Sequence, residues 1–498
     1  MRLFPNDFSK GYFKCSRHAL LFLLLTCALA FPACGERQSV PEEEDNVLVY
    51  AALNPVTREL QSSIKKFNEA HPDVQIEIHD YSDEGGRDRL QIELLLGQIP
   101  DIMELRSYGK AGKDAPGGYG VEFLPGSHTG PEDGYFMPYR QLAQRGYLED
   151  LWPYIENDPD LGREAVLEAP LKAAEVNGGL YMLFERAAIF TLIGRASIVG
   201  DRYSWTLDDM MEAYASMPEG STIMRYNMTK QQVFYNLLCN SLEQFVDRET
   251  GECTFDSREF HDLVGFLETL PDEVDYEKAQ EAEEEVIQRI KNGTQMLEGM
   301  TVYWPRLICF SDSIFRERAA FVGYPTADGS SGSFYYQTGT VLAMSSTCRN
   351  KDAAWDYIRK LITPIMRKST ASFATDAGSK RVGSIPVCLN DYEVICWYER
   401  YYVDEVISRY PENPLAGYMP EWHFQYGPEL YLMNFPTEED FQRCWDLIDH
   451  TTRLYWPEDD LTDIVWETLG AYFAGDRTLD DTIGLLNNRV GLYLNEQK

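Results

Sequence analysis

The sequence is poor in positive charge, in histidine and in compact catalytic signatures, and each shortage removes a class of function. Only 45 lysines and arginines stand against 80 aspartates and glutamates in 498 residues, a formal charge of −35. Nucleic-acid phosphates need a basic surface, so nucleic acid is excluded as a partner, and attraction to an anionic membrane through surface charge is disfavoured. The acidity reads as a solvated surface that keeps the chain soluble. The seven histidines are scattered, and no HExxH, GxSxG, P-loop or strand-embedded GxGxxG is present, which leaves zinc and nucleophilic chemistry without parts. Asp158-Pro159-Asp160-Leu161-Gly162 lacks the spacing of an EF-hand loop. CxxC pairs and Cys/His clusters are also missing, so no metal and no cofactor is expected. Cys239, Cys253, Cys309, Cys348, Cys388, Cys396 and Cys444 are widely spaced and odd in number. They read as buried apolar thiols, not as a disulfide framework. Beyond residue 34 no apolar run approaches the roughly 20 residues of a spanning helix.

What is present begins at the N-terminus. Arg2, Lys10, Lys14 and Arg17 precede the apolar run Ala19–Ala30, too short to span a bilayer comfortably but suited to a signal peptide. The run ends in Phe31-Pro32-Ala33-Cys34-Gly35, which resembles a bacterial lipobox and departs from it at Phe31 and Pro32. Cys34 is therefore the expected lipidation site. A diacylglyceryl group there supplies two acyl chains, enough for stable anchoring. The chain is expected outside the cytoplasm, lipid-anchored to the bacterial cell membrane. Residues 35–45 (GERQSVPEEED) are polar and aperiodic, a tether.

From residue 46 the pattern is that of an α/β protein. Val47–Leu53 is a near-continuous apolar run, as in a buried parallel strand, followed by Asn54-Pro55, which reads as a cap and first helical position. A helix to about Ala70, a strand Val74–His79, a helix Arg87–Leu96 and a strand Ile102–Leu105 complete a βαβαβ unit. Lys110–Pro138 is rich in glycine and proline and longer than ordinary connections, and is read as a loop inserted near a cleft. Helical patterns occur at Tyr139–Arg145 and Ala165–Val176, a strand-rich crossover at Gly179–Gly194, and a hairpin at Asp247–Thr254. An acidic helix Glu281–Lys291, a strand Gly299–Tyr303, an alternating strand Gly332–Met344 and a helix Lys351–Ile362 follow. Leu461–Phe473 and Leu479–Leu494 are amphipathic helices.

The order of these elements resembles extracellular solute-binding proteins of the family that includes the maltose-binding protein. The resemblance runs through KKFNEAHPDVQIEI, the Gly97-Gln98-Ile99-Pro100-Asp101-Ile102 step, QLAQRGYLEDLWPYIEND at 141–158, Gly178-Gly179-Leu180-Tyr181, Ser204-Trp205-Thr206-Leu207-Asp208-Asp209, Ala353-Ala354-Trp355-Asp356-Tyr357-Ile358 and the closing stretch 471–496. It implies a two-lobed periplasmic-binding-protein-like α/β fold with hinge crossovers and a ligand cleft between the lobes. The expected partition is residues 46–183 and 331–385 in the N-lobe, 184–330 and 386–498 in the C-lobe. The implied function is capture of a carbohydrate, an oligosaccharide above all, by a monomer that delivers it to the transmembrane subunits of an ABC permease. Alternatives are the same fold binding a peptide, polyamine or polyol phosphate, or feeding a sensor, and a secreted glycoside hydrolase, whose two carboxylates no sequence pattern can pair.

Sugars present apolar C–H faces and a rim of hydroxyls, so aromatic planes and polar side chains are sought together. Trp304 follows an apolar strand at the place where the family puts a sugar-packing aromatic; its alternative is a core tryptophan. Asn54 ends the first strand, where ligands of parallel sheets gather, and its alternative is helix capping. Arg106 and Tyr108 follow the third strand in the same layer, while the family's aromatic in that loop falls on Leu105. Glu185 and Arg186 lie in the crossover and either face the cleft or form a local ion pair. Of Tyr335, Tyr336 and Gln337 on the return crossover, alternation turns one tyrosine inward, and Tyr336 is taken as the site residue. Trp422, in a loop where the family closes its site, is the last candidate. Trp205 and Trp355 sit in fold motifs and are read as structural.

Overall fold

Val47–Ala52 (β1) is apolar because it lies inside a sheet: it pairs in parallel with β2 (Gln75–Asp80) and with β3 (Ile102–Glu104). The computed structural model describes residues 46–498 apart from 84, 109–133, 225–228, 239–241, 248–249, 274–284, 327, 331, 366–383, 410–422, 427–428, 433–435, 457–460 and 498. Helices Arg58–Ala70 and Gly86–Leu95 make the crossovers between the first three strands. The first of them starts later than the sequence suggests. Thr57, not Asn54, is its N-cap, accepting from Leu60 N–H at 3.2 Å, because the Asn54 amide is drawn into the sheet.

Beyond β3, Arg106–Tyr108 (β4) pairs antiparallel with Gly134–Phe136 (β5). The two ends of the long Gly/Pro-rich connection therefore form a ladder past the carboxyl end of β3; the connection itself falls outside the described residues.

Two long strands organise the rest. Leu183–Arg195 (β6) is buried along almost its whole length, so both faces are covered and the sequence reads as a continuous apolar run. Its first half pairs with β9 (Phe334–Met344), from Leu342 back to Phe334, and with β10 (Ile385–Pro386). The second half pairs with β7 (Leu297–Val302) and β8 (Ala319–Phe321). β9 runs antiparallel to β3 and β6, and its N-terminal end takes β13 (Arg453–Leu454) in parallel. The resulting order, β2-β1-β3-β9-β6-β10, is one wound sheet in which β9, between β3 and β6, and the edge strand β10 run against the others, continued along β6 and β9 into a second half. A separate hairpin joins β11 (His423–Tyr426) to β12 (Glu429–Leu432).

Alternation along β6 assigns its faces. Ala187, Ile189 and Ile193 belong to one core, continuous with the first half of the sheet and with helices Arg306–Phe315 and Glu438–His450. Phe190 and Leu192 belong to a second core built from Leu207–Ala215, Lys230–Leu238, Arg258–Glu268 and the closing helices Leu461–Phe473 and Leu479–Gln497. The stretch 386–498 is thus divided. Tyr392, Cys396, Phe441, Leu447 and Trp456 pack in the first core, whereas Tyr455 and the helices from Leu461 onward pack in the second.

The motifs that carry the family likeness act as ties. Asp101 accepts from Val49 N–H at 2.8 Å, joining the start of β3 to β1. Trp355 Nε1 donates to Asp158 at 2.8 Å, Trp205 Nε1 donates to the Gly323 carbonyl at 3.0 Å, and Thr206 with Asp209 forms a reciprocal capping box. The expected hairpin at Asp247–Thr254 is a tight turn closed by the single bridge Val246–Cys253. The helix Lys351–Ile358 ends one turn early in a 3-10 turn, Arg359–Leu361.

Cys253, Cys309, Cys348, Cys388, Cys396 and Cys444 are free thiols, all but Cys253 buried; Cys239 lies outside the described residues. Burial pushes Cys388 up to about 11 and Cys348 and Cys444 up to about 12. Among the described residues no helix is long and apolar enough to cross a membrane.

Candidate functional site

The carboxyl ends of β1 and β3 meet at a buried carboxylate that the sequence reading missed. Glu104 accepts from Tyr50 Oη (2.8 Å), from the N–H groups of Leu53 and Asn54 (both 2.9 Å) and from Asn54 Nδ2 (2.8 Å). Asn54 Nδ2 also donates to the Arg106 carbonyl at 2.9 Å. Asn54 is therefore neither a helix cap nor a loose side chain: its amide fastens the strand-end loops to one another. Burial, the largest influence, raises the Glu104 carboxyl above its usual range, and the hydrogen bonds oppose it. A Glu in an apolar strand, IMEL, was the available signal, since a carboxylate rarely enters such a run unpaired.

Arg106 leaves this cluster for the crossing strand. Its Nη1 donates to the Gln337 carbonyl at 2.7 Å, its Nη2 bonds the Tyr336 hydroxyl, and its guanidinium lies 4.5 Å from the Tyr336 ring centroid. The reason is topological. Along this edge of β9, β13 ends at Leu454, with Tyr455 N–H donating to the Tyr335 carbonyl, and Leu105 N–H donates to the Val341 carbonyl. Among the described residues no strand pairs with the edge between these two stretches, and the buried guanidinium bonds there in place of a ladder.

Alternation on β9 separates the tyrosines as expected. Tyr335 is buried in the first core with its hydroxyl donating to the Ile448 carbonyl at 2.6 Å, whereas Tyr336 turns to the other face. There it contacts Phe190 edge-on at 5.3 Å and Tyr455 at 5.9 Å. Gln337, 0% exposed, has neither amide atom hydrogen-bonded. A buried amide without partners is costly, so this point of the crossing strand is suited to a polar group that supplies them.

Glu185 and Arg186 occupy the bulge where β6 passes β9, and they form a local ion pair at 3.1 Å with Arg186 buried and Glu185 part-exposed. Arg186 stands opposite Thr338, one residue beyond Gln337, so the pair belongs to the same level of the sheet as Arg106 and Tyr336. Tyr108 lies in β4 next to this cluster in sequence. Trp304 leaves the sheet after β7 and packs on Ile395 and Tyr398, 6% exposed, with the Arg306 guanidinium 3.8 Å from its ring centroid and its indole N–H without a hydrogen bond. Arg306 in turn pairs with the buried Glu399 at 3.1 Å. Trp422 and Cys34 lie outside the described residues.

Asn54, Arg106, Tyr336, Glu185 and Arg186 thus share one region, with Glu104 and Gln337 added by the structure, while Trp304 sits apart in a small cluster against the helix Leu389–Arg409. Strand order, two strands that cross from one half of the sheet to the other, and this polar and aromatic cluster at the carboxyl ends of β1 and β3 define a two-lobed α/β fold of the periplasmic-binding-protein-like class.

Solved structures to which this chain is similar include an ABC substrate-binding protein from Listeria monocytogenes in complex with cycloalternan, at 13% identity over 90% of this chain and 99% of that one, with a TM-score of 0.43. The sugar-binding protein MalE of Xanthomonas citri is similar at 12% identity over 91% and 98%, TM-score 0.45. The cyclic alpha-maltosyl-1,6-maltose binding protein of Arthrobacter globiformis is similar at 13% over 90% and 99%, TM-score 0.45. No protein-family model matches the sequence, and no curated protein matches it.

Proposed function

We propose that the chain is an extracytoplasmic solute-binding lipoprotein, anchored through Cys34, that captures a carbohydrate by closure of its two lobes and delivers it to an ABC permease. The observation that carries this reading is the convergence of Arg106, from the strand ends of the first half, on Tyr336 and Gln337 of the crossing strand. A ligand bound there touches both halves of the sheet, which is the condition for coupling binding to closure. Tyr336 and Tyr455 offer aromatic surface, and Glu185, Arg186, Arg106 and the Gln337 amide offer donors and acceptors, the mixture that a hydroxylated ring needs. Trp304, whose N–H is free of partners but which sits apart from this region, stays in the proposed set with Tyr108 and Trp422. The protein binds and releases its solute unchanged.

The test is a thermal-shift screen of the mature chain against mono-, di- and oligosaccharides, with peptides, polyamines and a polyol phosphate as controls. A ligand at 100 times its Kd stabilises by about 2.7 kcal/mol, a readily measured rise in Tm. A sugar that raises Tm and is recovered intact supports the proposal, and Arg106→Ala abolishes the shift. A response to a control solute alone retains the fold and overturns the substrate class; cleavage of the sugar overturns the binding function itself.

A further inference from the structure

The helix Gly86–Leu95 buries Gly86, Leu90 and Leu94 and carries a second apolar stripe on its opposite side. Ile92, Leu95 and Leu96, at spacing i, i+3 and i+4, are 56%, 77% and 69% exposed. A surface helix ordinarily keeps that side polar, and a contiguous exposed aliphatic stripe marks a contact surface.

Topology fixes which end of the sheet the stripe occupies. The helix joins β2 to β3, both parallel to β1, so it runs back against the strands and finishes where they begin. Val47, the first residue of β1, pairs there with Gln75, the first of β2. The described chain thus starts at the same end as the stripe, and the tether 35–45 links that end to Cys34. Eleven extended residues reach no more than about 40 Å, so an anchored chain keeps this end near the bilayer. The loops carrying the exposed Arg145 and Arg349 are neighbours at this end, since Ser346 Oγ donates to the Gly146 carbonyl at 2.6 Å. Exposed Glu69, Asp73 and Asp352 lie at this end as well, and the tether adds Glu42, Glu43, Glu44 and Asp45, so any contact made by the stripe is apolar and not electrostatic. The carboxyl strand ends, with the proposed ligand site, lie at the opposite end. The stripe is therefore remote from the proposed ligand site.

We propose that Ile92, Leu95 and Leu96 rest on the lipid bilayer to which the chain is anchored, setting the protein's resting orientation on the membrane. This rests on the lipoprotein reading above. A weak apolar contact suffices because the tether makes it intramolecular, and aliphatic side chains suit the headgroup boundary.

The experiment uses the full-length chain, exported and checked for palmitate incorporation, then reconstituted in vesicles of phosphatidylethanolamine with a minority of phosphatidylglycerol. Leu95→Cys and, as a control on the exposed C-terminal helix, Leu492→Cys are labelled with a membrane-impermeant maleimide. Labelling at 95 is expected to be slower than at 492 by about tenfold, the partition ratio equivalent to burying most of one leucine. Equal rates overturn the proposal while leaving lipidation intact. Slow labelling at 95 that persists in the unanchored full chain carrying Cys34→Ser, free of vesicles, assigns the stripe to a second copy and also overturns it. Absence of palmitate removes the anchor, and both readings fall together.

Discussion

Glu104 is the residue whose removal tests the construction of the site most directly. Its carboxylate collects four donors, two of them backbone N–H groups of the β1 strand end. Glu104→Ala leaves these donors buried without an acceptor, at about 1–3 kcal/mol for each that cannot reach water. Removal of a desolvated carboxylate and relaxation of the Leu53–Asn54 loop offset part of this, so a net loss of about 3–5 kcal/mol is expected. Urea unfolding followed by circular dichroism reads it as a lower midpoint with unchanged slope. The pH dependence gives a sharper check. Burial raises the folded carboxyl above its ordinary 4.5. The folded state therefore binds this proton more tightly than the unfolded chain does. Its contribution to stability is fully present below the unfolded value and is lost as pH rises through the folded one. Glu104→Gln has no such proton. The stability of wild type relative to Glu104→Gln is thus expected to be greatest near about pH 4 and to decline toward neutrality. An advantage that instead grows with pH means that the four donors outweigh burial, and the reasoning fails.

Three further perturbations follow from particular contacts. In Gly332→Ala the new Cβ would stand 1.6 Å from the Tyr324 carbonyl oxygen, a backbone clash that no rotamer relieves; a loss of about 3 kcal/mol or more, read by denaturant titration, is expected. Arg443 is buried and bonds Asp312 at 2.8 and 2.9 Å, Asp440 at 3.1 Å and the Ala319 carbonyl at 2.8 Å. Arg443→Met strands two carboxylates and should cost about 3–5 kcal/mol, part of it recovered on adding Asp312→Asn in a double-mutant cycle. Arg106→Lys keeps the charge but loses the planar fork that serves Gln337 and covers Tyr336. Calorimetry with whichever solute the screen identifies should show an affinity loss of about 1–3 kcal/mol, with the thermal midpoint of the ligand-free protein moving little.

Much of the fold was legible because its strands and crossovers follow local rules. Continuous apolar runs marked β1 and β6, buried on both faces, and alternation on β9 correctly separated Tyr335 from Tyr336. The motifs shared with solute-binding proteins were also legible, and the structure gives the reason: Asp101, Trp205 and Trp355 each make one long-range hydrogen bond that locks a strand or helix in place. Those bonds need a particular side chain at a particular position, so they leave a mark in the sequence. The candidate site was legible in part, at the strand-end residues Asn54 and Arg106 and at Glu185, Arg186 and Tyr336 on the two crossing strands. Glu104 and Gln337 read as ordinary interior positions until register placed one beside Asn54 and the other beside Arg106. Asn54 was misread as a cap because Asn-Pro before a helical pattern satisfies the local rule, and the competing acceptor lies 50 residues away. The order of elements gives a sheet whose two halves are joined by β6 and β9, but which side chains meet along β9 depends on where β13 ends and β3 begins. Arg106 bonds β9 at that break in pairing, and it is the break, more than any motif, that brings polar side chains from the two halves of the sheet together.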